Sequence, residues 1–183
     1  MRRTSTAAAL AVVLVLLMAA CGSDDDGSDT SATATWADGV CSAISTWTES
    51  LGRSVSSLQG GDVSREALEG AADDVQGATE TFVDDLRGLG KPDTEAGQEA
   101  QDSVDQLADQ LETEVGKIED AVDDASGVSG VLTAVSTVTA TLASMGNQLS
   151  STFNELEQLD AGGELEDAFR ESESCRDLSG TTG

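Results

Sequence analysis

Histidine and tyrosine are absent from the 183 residues, proline occurs once, and aromatic residues make up 3% of the chain. Without histidine there is no Ser-His or Cys-His pairing to activate a nucleophile, and no Glu-x-x-His set for a metal centre inside a helical bundle. General acid and base chemistry falls to carboxylates and to Lys91 and Lys117. The nucleophile elbow, the Walker loop, the dinucleotide fingerprint and zinc-ligand spacing are missing too. Trp36, Trp47 and the three phenylalanines fall at core positions of helical stripes, which leaves no aromatic platform for a sugar. The sequence therefore predicts a protein that is not an enzyme and needs no metal or cofactor. Positive charge is also scarce: nine Lys plus Arg stand against 35 Asp plus Glu, a net charge of −26. Nucleic acid is excluded as a partner, because phosphate binding needs a basic patch.

What is present begins at the N-terminus. Arg2 and Arg3 precede an apolar run from Ala7 to Met18 and the small residues Ala19 and Ala20. This is the layout of a secretory signal peptide over residues 1–20, and the run is shorter than the ~20 residues a spanning helix needs. Ordinary signal-peptidase cleavage wants small residues at both 18 and 20, and Met18 is not small. Ala19-Ala20-Cys21 instead resembles the lipobox of bacterial lipoproteins. The resemblance implies cleavage before Cys21, lipidation of its sulfur and two or three acyl chains that hold the product on the extracytoplasmic side of the cell membrane. With Arg2 and Arg3 gone, seven basic residues remain against 35 acidic ones.

Lipidation of Cys21 leaves Cys41 and Cys175 as a pair in an oxidising compartment, where disulfides persist, and a bond between them is expected to join the first helix to the last. Neither cysteine lies in a Cys-x-x-Cys motif, so a redox role is not expected.

Residues 21–35, rich in Gly, Ser, Asp, Thr and Ala, lack apolar periodicity and read as a disordered acidic linker. From Trp36 the apolar positions step by three and four. Trp36, Val40, Ile44, Trp47, Leu51, Val55 and Leu58 mark a first helix ended by Gly60-Gly61. Asp62 or Ser64 caps a second helix, with Leu68, Ala72, Val75, Thr79, Phe82, Leu86 and Leu89 as its seam. After Gly88, Gly90 and Pro92, Asp93 or Thr94 is placed to cap a third, from Ala100 through Leu107, Leu111 and Ile118 to Ala125. A fourth carries Val131, Val135, Val138, Leu142, Met145, Leu149, Phe153, Leu156 and Leu159, and a short fifth segment carries Leu165, Phe169 and Cys175. The predicted fold is all-α, an antiparallel up-and-down bundle of four long helices plus a short C-terminal helix over residues 36–178, with a disordered tail at 179–183.

The start Trp36-x-x-x-Val40-Cys41, with Trp47 on the same helix and a late Cys175, resembles the small, acidic, histidine-poor helical lipoproteins of actinobacteria. That resemblance implies a cell-envelope setting and brings no activity with it.

No charged residue lies between Asp124 and Glu155. The side of the fourth helix away from its apolar stripe carries Ala134, Thr137, Thr141, Ser144 and Gln148. This neutral side reads first as packing between neighbouring helices, and it is also the chain's best candidate interaction face. It is too rich in Ser, Thr, Gly, Asn and Gln to span a bilayer. The acidic pairs Asp73-Asp74, Asp84-Asp85, Glu119-Asp120 and Asp123-Asp124 diverge by about 100° along a helix and read as solvated surface. Two functions fit: a membrane-anchored structural or interaction protein that contacts another envelope protein, or a module that holds a small apolar molecule or a cation within the bundle.

Overall fold

The computed structural model describes residues 26–60, 64–160 and 163–180. The expected signal peptide at 1–20, the expected lipidation site Cys21 and the last three residues lie outside the described part. Six helices follow one another: α1 (Asp26–Gly60), α2 (Arg65–Leu89), α3 (Gly97–Asp123), α4 (Gly127–Leu159), α5 (Glu164–Glu171) and α6 (Glu173–Gly180). Four long helices pack against one another and two short ones close the chain, with no strand among the described residues.

Local chemistry sets most of the boundaries. Ser64 caps α2, its hydroxyl accepting from the Ala67 N–H at 3.1 Å. Gly90, at φ +64°, ends it. The cap expected at Asp93 or Thr94 is instead Ala96, at the first residue before α3. Residues 94–97 make a preliminary turn closed by the Gly97 N–H to the Thr94 carbonyl at 3.0 Å. A Cβ on Gly97 would lie 2.0 Å from the Pro92 carbonyl oxygen, so this turn needs glycine where it meets the proline segment.

Two boundaries correct the sequence reading. The expected linker at 21–35 is helical from Asp26, and Thr33 is fully buried. Extending a formed helix adds one hydrogen bond per residue fixed, so the helix nucleated by the stripe from Trp36 continues back to Asp26. The single C-terminal segment is two helices, and α6 runs to Gly180, into the expected tail. Ser172 breaks them apart with extended backbone (ψ 132°), and its hydroxyl then accepts from the Cys175 N–H at 3.3 Å, capping the second piece.

The core follows the predicted stripes on α1, α2 and α3. Leu68, Leu111, Ile118 and Phe82 are nearly inaccessible. Trp47 stacks on Phe82 (centroids 5.0 Å, 18° between planes), and its indole N–H donates to the buried Thr79 hydroxyl at 3.1 Å. The void between Phe82, Leu107, Leu149 and Leu156, where α1, α2, α3 and α4 meet, is about 10 Å³, too small for a ligand.

Candidate functional site

Consecutive long helices touch in the order α1–α2, α2–α3 and α3–α4. A closed bundle would also place α4 beside α1. Here, among the described residues, no Cα of α1 comes within 8 Å of one in α4. The short helices explain the gap. Phe169 of α5 stands edge-on between Trp36 of α1 (centroids 5.9 Å) and Phe153 of α4 (5.3 Å), wedging the two apart. The disulfide Cys41–Cys175, with sulfurs 1.97 Å apart, staples α6 onto α1 as the sequence predicts. Ser172 donates to the Asp38 carboxylate at 2.8 Å, and Ser42 and Ser174 share a hydrogen bond at 3.0 Å, so the seam around the disulfide is polar. Hydrogen bonds from Ser172 first and then Ser174 hold the Asp38 carboxyl below its ordinary pKa.

Beyond the wedge the gap is an open trough of about 870 Å³, walled by Ile44, Trp47, Leu51 and Val55 on one side and Leu142, Gly146, Leu149 and Phe153 on the other, with Leu178 at one end. Each wall spans eleven residue steps, or ~17 Å at helical rise. Ser45, Thr48, Ser150 and Asn154 give it a neutral polar rim, and Glu49 is the one charged side chain that lines it.

The walls differ from the sequence reading in which side of α4 they use. The expected interaction face Ala134, Thr137, Thr141, Ser144 and Gln148 is turned onto α3: Ala134 and Thr141 are buried, the other three half-buried. That set is the α3–α4 seam and not a free surface. Of the α4 stripe expected in the core, Val131, Val138, Met145 and Leu156 are buried, whereas Val135, Leu142, Leu149 and Phe153 are half-buried at its edge. The cause lies on α3. Glu114 is 8% exposed there, and a buried carboxylate needs donors. Gln148 supplies one at 3.0 Å, Ser144 another at 3.4 Å and Lys117 a third at 2.9 Å. Small side chains on this face also allow close approach of the two backbones.

Glu114 carries a stability prediction. The Lys117 contact, then the Gln148 and Ser144 hydrogen bonds, hold its pKa below the ordinary carboxylate value against the opposing effect of burial. Its folded-state pKa is depressed, so its contribution is present above the unfolded pKa of about 4.3 and is lost as pH falls through the folded value. Glu114→Ala should cost about 1–3 kcal/mol at neutral pH, because Gln148 and Ser144 lose their acceptor. Urea melts of both proteins should converge as pH is lowered from 7 to 3, and a gap that stays constant would show that the ionised form has no part.

With one face on α3, α4 shows a second face of the same period. Val128, Leu132, Val135, Thr139, Leu142, Gly146, Leu149 and Phe153 alternate steps of four and three, the spacing of helix-to-helix seams. Val128 is 81% and Leu132 61% exposed. Among the described residues α4 is the one helix long and apolar enough by composition to cross a membrane, yet it carries the partners of a buried carboxylate, and 28% of its most apolar window is buried. Comparison with protein-family models, curated proteins and solved structures finds no match.

Proposed function

We propose that this is a lipid-anchored protein of the extracytoplasmic face of the cell membrane that works without catalysis, by binding another envelope component through the open face formed by α1 and α4. The observation that carries the reading is that, among the described residues, no Cα of α1 lies within 8 Å of one in α4, which leaves a preformed apolar trough where a bundle would otherwise close. The chemistry of the face agrees with it. Its walls are apolar, its rim is neutral, and nothing on it resembles a proton-transfer pair. Cys21, in the lipobox-like Ala19-Ala20-Cys21, supplies the anchor.

A second reading, a small apolar molecule held in the trough, draws on its volume of about 870 Å³, within the ~300–1,000 Å³ of ligand pockets. A cation gains no support, since no group of three acidic or thiol side chains converges among the described residues.

Leu149→Glu places a charge in the trough on a half-buried side chain. We expect the variant to lose the components that co-purify with the wild type from detergent-extracted membranes, while melting within a few degrees of it. Retention of the full set by a folded variant would overturn the proposal. Intact-mass measurement of the extracted protein should show residue 21 as its acylated first residue.

A further inference from the structure

We infer that the occupant is a zwitterionic phospholipid, with its acyl portion in the α1–α4 trough and its headgroup in a second cavity at the Phe153 end of that trough. This deepens the binding role proposed above and rests on it. The second cavity is a basin of about 450 Å³, lined by Glu157, Glu166, Arg170 and Arg176 together with the rings of Phe153 and Phe169. It adjoins the trough. Phe153 lines both, α4 runs on from Asn154 in the trough to Glu157 in the basin, and α6 leads from Leu178 in the one to Arg176 in the other. An apolar compartment and a charged one therefore lie end to end, the layout that an amphiphile fits.

Length fits the tail. The trough walls run ~17 Å, and one acyl chain spans half of a ~30 Å hydrocarbon core, or about 15 Å. Leu149 and Phe153 pack on the core and are still half-buried, so part of each is left to line the trough. Charge selects the headgroup. Arg170 is taken by Glu166 at 2.6 Å and Asp167 at 2.7 Å. Glu157, half-buried, and the exposed Arg176 line the same basin, yet among the described residues neither forms an ion pair. An acid and a base that share one cavity without pairing match an ammonium and a phosphate. Arg176 donates to the phosphate and Glu157 accepts from the ammonium, both in charge-assisted hydrogen bonds. A purely anionic headgroup would face Glu157, Glu166 and the field of a chain of net charge −26. An uncharged apolar molecule would fill the trough and leave the Glu157 carboxylate without a donor.

The test is native mass spectrometry of the full-length protein, purified from its own membranes in mild detergent and given equal amounts of phosphatidylethanolamine, phosphatidylglycerol and diacylglycerol with the same acyl chains. The expected product is one noncovalent phosphatidylethanolamine per chain, retained severalfold over either competitor. Glu157→Gln and Arg176→Gln should each lower that retention about two- to fivefold, the range of an exposed ion pair. Retention of diacylglycerol should not change, because the trough is intact in both variants. A melting temperature near that of the wild type checks that each variant folds. Equal retention of the three lipids, a preference for phosphatidylglycerol, or unchanged retention in both variants overturns the inference and leaves the binding role standing. So does a parallel loss of diacylglycerol, which would place the effect of the substitutions in the trough. If the chain keeps no lipid and another protein stays bound to it, the inference fails alone; if it keeps neither, the binding role fails with it.

Discussion

Replacing Cys41 and Cys175 by alanine is expected to lower the stability of the folded chain by about 5 kcal/mol, the chain-entropy value for a loop of this size. The bond closes 134 residues into one loop, so it restrains nearly the whole unfolded chain. For a domain of this size the loss corresponds to about 10–20 °C in melting temperature. Both cysteines are buried, and the pair anchors α6 beside the wedge that separates α1 from α4. The variant should therefore also loosen the trough. Thermal unfolding followed by circular dichroism, with the oxidised protein as reference, measures the effect. A shift of only a few degrees would mean that packing of α5 and α6, and not the covalent link, holds the C-terminal segment in place.

Phe82→Ala is the second large effect. Phe82 is 2% exposed, on the seam between α1 and α2, with Trp47 stacked on it. Truncation removes the ring and leaves a cavity that the neighbours fill only in part, at a cost of about 3–5 kcal/mol, which includes the lost stacking. The expected fall in melting temperature is roughly 6–20 °C. Trp47 reports the same event, because its emission should move to longer wavelength as water gains access to the cavity. A loss below about 1.5 kcal/mol, the range of volume-conserving swaps, would show that the site collapses around the missing ring. Trp47 would then be held chiefly by its bond to Thr79.

Much of the architecture is legible in the chain, because burial and helical period write the same pattern. On α3 the stripe from Ala100 to Ala125 is buried throughout, since its remaining side is strongly acidic and only one orientation hides no charge but Glu114. On α4 the pattern is ambiguous, because a helix without charges has no forbidden side. Two stripes of equal period compete there, and the more apolar one is the natural choice from sequence. The folded chain buries parts of both, Val131, Val138, Met145 and Leu156 of the apolar stripe together with Ala134 and Thr141 of the smaller one, while Gln148 and Ser144 satisfy Glu114. One sequence signal marks that side: Glu114 interrupts the α3 stripe between Leu111 and Val115 and must face donors. The wedge was not legible, because it depends on Phe169 reaching Trp36 and Phe153, contacts between residues 133 and 16 positions apart that no local pattern encodes.

The continuous α1 has one last consequence. From Asp26 to Gly60 the backbone has no joint, and the disulfide fixes the far end of the chain to the same rod. A jointless shaft transmits torque. Rotation applied at residue 26 therefore turns the trough through the same angle, and whatever grips the chain just before that residue sets the compass heading of the open side.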